Sequence, residues 1–195
     1  MNLPTLAAEL LIFRDADLAM RDTLAADGSL YEGYHPKMEE LHRRNAARLK
    51  EMIQEHGWPG RTLVGEEASE AAWLILQHSI SDPQFQRRGL KLLEQAAAQE
   101  EIPAWQAAML EDRIAMFEGR PQRYGTQFTF DENGNNCLHP LADTSNVEEL
   151  RRSVGLPPLQ DALRKLAEPP APQQDWKQRR RESEEWARRV GWRQQ

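Results

Sequence analysis

Ala71-Ala72-Trp73-Leu74-Ile75-Leu76, with Gln77 and His78 directly behind it, is the stretch whose reading decides the fold. Six successive apolar residues leave no polar face, which marks a helix buried on most sides. Glu66 and Glu67 fall in its first turn, where acids complement the positive end of the helix dipole. This helix begins near Gly65 and forms the centre of the molecule.

The segments on either side are helical as well. Leu6, Leu10, Phe13, the pair Asp17-Leu18 and the run Met20 to Leu24 recur close to the helical period, so the first helix runs from Pro4 to about Ala26. Asp27-Gly28-Ser29 ends it. Pro36 suits a first helical turn, and Met38, Leu41, Asn45, Leu49 and Met52 follow in steps of three and four, predicting a second helix over 36–56. Gly57-Trp58-Pro59-Gly60 is a rigid turn. Beyond the central helix, Asp82-Pro83 starts a fourth that reaches about Gln99, and Pro103 starts a fifth that ends at Gly119.

There the helical period stops. Gln127-Phe128-Thr129-Phe130 alternates, Asp131-Glu132-Asn133-Gly134 is a turn, and Asn136-Cys137-Leu138 returns antiparallel. Short helices are predicted from Asn146 to Val154 and near 159–167. The fold class is therefore mainly α: a compact multi-helix domain with one small β-hairpin near residues 127–138. The helical domain covers 1–167, residues 168–174 form a Pro-rich linker, and 175–195 form a charged helical tail.

Composition excludes several classes. The 195 residues are 39% apolar and 29% charged, with no run near the roughly 18 apolar residues of a membrane span. A lone Cys137 forbids a disulfide framework. Glu9 interrupts the N-terminal apolar stretch too early for a secretory signal, so a soluble, cytoplasmic protein is expected. The net charge of −6 hides a gradient: 171–195 carries seven basic residues against four acids, +3, and leaves −9 on 1–170. An acidic body is a poor nucleic-acid binder, so only the tail, with Trp176, Trp186 and Trp192 among its arginines, could touch one weakly. A helix packed on the body or on a protein partner is the preferred reading of 175–195.

Polar side chains interrupt the apolar faces of three helices. Asn45 lies between Leu41 and Leu49 with His42 beside it, His78 ends the line Glu67-Ala71-Leu74, and Asp112 sits on the stripe of Trp105, Met109 and Met116. A buried carboxylate needs a partner, and an imidazole needs one for each nitrogen. The least costly arrangement brings Asp112, His78, Asn45 and His42 together. It is either a structural network or a pocket in which His78 is the general base and Asp112 its orienter. The following stretch, Gly119 to Gln127, offers Gln122, Arg123, Tyr124 and Gln127 as donors toward a ligand, with Arg113 nearby in sequence. Its other reading is a cap on the fifth helix.

These residues also carry a resemblance. His35-Pro36-Lys37-Met38-Glu39 through Asn45-Ala46, Gly57-Trp58-Pro59, Val64-Gly65, Trp73 to His78, Leu110 to Ile114 and Gln122 to Gln127 resemble a widespread bacterial domain family of unknown function. Arg151-Arg152, Val154-Gly155-Leu156 and Pro158-Leu159 resemble its C-terminal signature. The resemblance covers about residues 30–165 and implies that Gln77-His78, Asp112-Arg113 and Gln122 to Gln127 are family hallmarks. It implies no activity.

Other chemistries find no support. Neither a GxxxxGK[ST] nor a GxGxxG run occurs, there is no HExxH helix, and no GxSxG elbow. A metal set of His78, Asp112 and Glu67 is geometrically conceivable, but hydrogen-bonded groups are the commoner outcome, so no metal or cofactor is assigned. Cys137 and His139 would share one side of a strand, yet a hairpin tip excludes water poorly. Two readings therefore stand: a polar pocket that binds, and in its sharper form hydrolyses, a small molecule or peptide-like substrate, and a non-catalytic interaction domain with a structural polar core. Whether the chain is an enzyme stays open at this point.

Overall fold

A computed structural model describes residues 3–131, 134–165 and 175–194. It is mainly helical, with one two-stranded antiparallel hairpin, as the periodicity requires. No helix among the described residues is long and apolar enough to cross a membrane. Contacts gather into two compact units, Met1–Ile102 and Pro103–Gln195, a division that falls inside the stretch 1–167. The linker expected at 168–174 lies outside the described residues.

The first unit holds α1 (Pro4–Ala26), α2 (Pro36–His56), α3 (Arg61–Val64), α4 (Glu66–His78) and α5 (Pro83–Ala98). Helix α4 is its centre, with α1, α2, α3 and α5 all packed on it. Ala71, Ala72, Ile75 and Leu76 are buried there, as a helix without a polar face demands. Each full burial of a Leu or Ile side chain stabilises by about 1.5–3 kcal/mol. Helix α2 starts where Pro36 fixes φ and His35 Nδ1 accepts from the Lys37 N–H at 3.1 Å. It stops at Gly57, whose φ of 78° few other residues tolerate. Asp82 caps α5, accepting from the Phe85 N–H at 2.9 Å, and pairs with Lys50 of α2. Gly89 lets α5 approach α4 closely: a Cβ there would stand 2.6 Å from both methyls of Leu76.

Helix α3 was not foreseen in the periodicity, because four residues make about one turn. It is held from outside: Glu101 accepts from the Thr62 N–H at 3.0 Å and from the Thr62 hydroxyl at 2.7 Å.

The second unit holds α6 (Ala104–Phe117), β1 (Phe128–Phe130), β2 (Asn136–Leu138), α7 (Val147–Ser153), α8 (Leu159–Lys165) and α9 (Trp176–Arg189). The hairpin pairs Phe128 with Leu138 and Phe130 with Asn136. The segment 175–194 packs within this unit through its tryptophans. Trp192 is 3% exposed and stacks on Phe117 at 5.2 Å between centroids, and Trp186 meets the same ring at 5.7 Å. Trp176 lies against Phe130 at 4.5 Å and covers Gly134. Apolar rings, rather than net charge, hold this helix.

Candidate functional site

The apolar stripe of α1 that buries Leu10 and Leu24 also carries Asp17 inward, to 1% exposure. From α2 comes His42, 7% exposed, and from the last position of α4 comes His78, whose side chain is 20% exposed. Both imidazoles converge on one carboxylate oxygen. His78 Nδ1 lies 2.8 Å from Asp17 Oδ2, and His42 Nε2 lies 2.9 Å from the same atom. The two rings stand 5.1 Å apart. Behind His42, the Tyr34 hydroxyl meets Nδ1 at 2.8 Å, and the phenol ring stacks on the imidazole.

Burial by itself would raise the Asp17 carboxyl. The close approach of the His42 and His78 imidazoles outweighs it and holds the group far below the usual carboxylate range, so Asp17 is ionised at neutral pH. Burial pushes the Tyr34 phenol well above its ordinary value, and the hydroxyl keeps its proton. Two atoms of the cluster are buried without a directed hydrogen bond: Asp17 Oδ1, and His42 Nε2, which is close to Oδ2 but poorly aligned with it. Asn45, one turn along α2, donates weakly to the Phe13 carbonyl at 3.4 Å, and its Oδ1 is unpaired, as are both amide atoms of Gln77. Such buried, unmatched polar atoms cost about 1–3 kcal/mol each, and they occur elsewhere in the chain too, at Trp58, Ser69 and Gln86.

The structure thus brings His42 and His78 together, with Asn45 one turn away, and gives them a different carboxylate from the one expected. Asp112 is fully buried, as its place in the stripe implies, but it serves the loop of its own unit. Its Oδ1 accepts from the Arg123 N–H at 2.7 Å and the Tyr124 N–H at 3.0 Å. Its Oδ2 accepts from the Thr126 N–H at 3.0 Å and the Thr126 hydroxyl at 2.9 Å. The carboxylate that meets His78 is Asp17. The sequence did carry a signal for it, since Asp17 stands at a stripe position of α1 between Phe13 and Leu24.

The ligand contacts expected at 122–127 are mostly spent inside the fold. The Gln122 amide donates to the Gln127 and His139 carbonyls at 2.9 and 2.8 Å, and its Oε1 accepts from the Gln127 N–H at 2.8 Å. Gln127 in turn donates to the Thr126 hydroxyl at 3.1 Å. Tyr124 is buried, and Arg123 alone projects outward, its guanidinium over the Tyr124 ring at 5.3 Å. Arg113 is half-buried on α6. Arg151, not singled out for a role in the sequence, is buried and donates to the Tyr124 carbonyl at 2.7 Å and the Pro157 carbonyl at 2.7 Å. Glu67 is exposed and paired with Arg14 at 2.8 Å, apart from any metal set. His139 Nε2 lies 2.8 Å from the Arg120 carbonyl rather than serving Cys137.

Among the described residues, Asp17, His42 and His78 form a group whose ligand atoms all lie within 4.8 Å of one another. Nearby in sequence, Leu18 and Leu74 help line a groove of about 380 Å3 with Arg14, Asp15, Glu70 and Trp73. Chemically, the cluster can hold a proton on a defined nitrogen or offer three donors to a cation.

Comparison with curated proteins finds no match, and comparison with solved structures finds none either. A family model matches residues 4–171, well beyond the 30–165 of the resemblance, and so takes in Asp17 along with His42, His78, Asp112 and Arg151. The chain belongs to that family, the family of unknown function DUF6624.

Proposed function

We propose that the Asp17–His42–His78 cluster is a catalytic centre that hydrolyses a small-molecule or peptide-like substrate by proton transfer. One observation carries this reading: two imidazoles share a single ionised carboxylate oxygen, and one of them, on His78, reaches partial exposure. Asp17 accepts the Nδ1 proton of His78, which fixes the tautomer and makes Nε2 the basic nitrogen. That nitrogen takes a proton from the water that attacks the substrate, Asp17 stabilises the imidazolium that results, and the imidazolium gives the proton to the leaving group as the scissile bond breaks. His42, backed by the Tyr34 hydroxyl, holds the carboxylate from the other side. A cytoplasmic location is part of the same proposal.

The test is turnover of a panel of esters, amides and phosphoesters by the whole chain and by His78→Gln. Loss of a general base lowers the rate by about 10²–10⁴-fold while the melting point moves little. No turnover of any class, together with a large drop in melting point for His78→Gln, would establish the second reading, a non-catalytic interaction domain with a structural polar core. That alternative draws its support from Asp112 and Gln122, whose polar atoms are used up within the fold.

A further inference from the structure

We propose that Asp17, His42 and His78 form a binding site for one divalent first-row transition ion. The inference rests on the reading of this cluster as the functional centre, and it reassigns the activation of water from His78 to the ion. Three helices, α1, α2 and α4, each contribute one donor, and the donor atoms gather within 4.8 Å. Two imidazoles with one carboxylate are a set that suits zinc or iron, and three protein ligands leave a coordination position open for water.

The buried atoms without directed partners support this more than the proximity does. His42 Nε2 lies 2.9 Å from Oδ2 without aligning a hydrogen bond to it, and Asp17 Oδ1 has no hydrogen bond at all. A cation held between Oδ2 and the two imidazoles satisfies His42 Nε2, and it reaches Oδ1 when the carboxylate binds through both oxygens. Ligands at about 2.0–2.2 Å from a tetrahedral ion stand roughly 3.4 Å apart, so the 2.8 and 2.9 Å separations to Oδ2 open by about half an ångström, while the two imidazole nitrogens, within 4.8 Å of each other, settle to the same spacing. Tyr34 provides for the change of tautomer. Coordination through His42 Nε2 puts the ring proton on Nδ1, and the Tyr34 hydroxyl 2.8 Å away can accept there as well as donate. No proton is gained or lost by a neutral ring; it moves from one nitrogen to the other.

The experiment is calorimetric titration of zinc chloride into the chelator-treated full chain, with cobalt(II) absorption in the visible as the readout of coordination. One ion per chain is expected, with a raised melting point and a four-coordinate cobalt spectrum. Asp17→Asn, His42→Gln and His78→Gln should each weaken binding by 100-fold or more, whereas His56→Gln, on the exposed end of α2, should leave it unchanged. Tyr34→Phe keeps all three ligands and should weaken binding about tenfold, which covers the case in which a ligand variant fails to fold. Zinc bound equally by the wild-type chain and folded His42→Gln, or no cobalt spectrum, overturns the proposal. The two readings separate cleanly: turnover lost in His78→Gln but indifferent to chelation leaves proton transfer standing and removes the metal. Tight zinc binding without turnover keeps the metal site and removes the hydrolase.

Discussion

Asp112 and Arg151 grip one short loop through opposite halves of its peptide groups. The carboxylate takes the N–H groups of Arg123, Tyr124 and Thr126, and the guanidinium donates to the carbonyls of Tyr124 and Gly125, at 2.7 and 3.2 Å. Burial lowers the Arg151 guanidinium from its ordinary value, opposed by Glu148 and Asp112, yet an arginine stays charged. Gly125, at φ 70°, lets the chain turn between the two grips.

Removing either grip strands buried backbone groups. Asp112→Ala should destabilise the protein by about 3–5 kcal/mol, and Arg151→Met by a similar amount. Asp112→Asn should cost less than Asp112→Ala but more than a surface change, because an NH2 group then faces backbone donors. Urea melts of the three variants check this. A loss below about 0.5 kcal/mol in either truncation would show that the loop is held elsewhere.

The Lys50–Asp82 pair predicts a pH dependence. Burial tends to raise the Asp82 carboxyl, but the Lys50 hydrogen bond and the Phe85 N–H overcome it and hold the group below its ordinary value. Such a group contributes its stability in full above the unfolded pKa near 3.9, and that contribution is lost as pH falls through the lower folded value. Asp82→Asn keeps the cap oxygen and should cost under about 1 kcal/mol at pH 7, with a shallower loss of stability in acid than the wild type. Urea melts from pH 7 down to about pH 2 measure both slopes. Parallel curves would show that Asp82 gains nothing from its charge.

Gly89 offers a test of the α4–α5 contact. In an exposed helix, Gly→Ala stabilises by about 1 kcal/mol. At Gly89 the new methyl group meets both methyls of Leu76, which is itself fully buried. Overpacking of about 1–3 kcal/mol should reverse the sign. A higher melting point for Gly89→Ala would mean that α5 can step away from α4 at little cost.

How much of this was legible in the sequence depended on which physical signal each part leaves. Helix α2 leaves a period many residues long, which gives its bounds of 36–56, and α4 leaves an unbroken apolar run, which gives its start near Gly65. Helix α3 has only about one turn and leaves none. Asp112 was read as core-facing because a period reports a face. It does not report which neighbour lies across that face, so Asp112 was matched to His78 when its partners were backbone N–H groups a few residues on. Asp17 was counted among the apolar positions of α1 and passed over. Arg151 was noted only as part of a signature, since a buried arginine on a seven-residue helix looks like any surface charge.

The C-terminal helix gives a fourth test. A tail of +3 beside a body of −9 would, if held by charge alone, be cut away after Ala167 with little effect. Trp192 stacked on Phe117, with Trp186 tilted against the same ring, implies the reverse. Trp192→Ala should destabilise by about 3–5 kcal/mol, and the truncated chain should melt earlier and aggregate as Phe117 is uncovered. A truncated chain with an unchanged melting point would return the tail to the role of an appendage.

The oxygen that His42 and His78 share ties three positions into one unit of inheritance. Any replacement of Asp17 changes what both histidines must do, and loss of one histidine redistributes the contacts of the other. Sequence drift at these places cannot proceed one step at a time: single changes should be harmful, and tolerated ones should come as correlated pairs or triples. A saturation library scored for pairwise interactions would then display α1, α2 and α4 as one strongly epistatic triangle, set in helices whose outer faces vary freely.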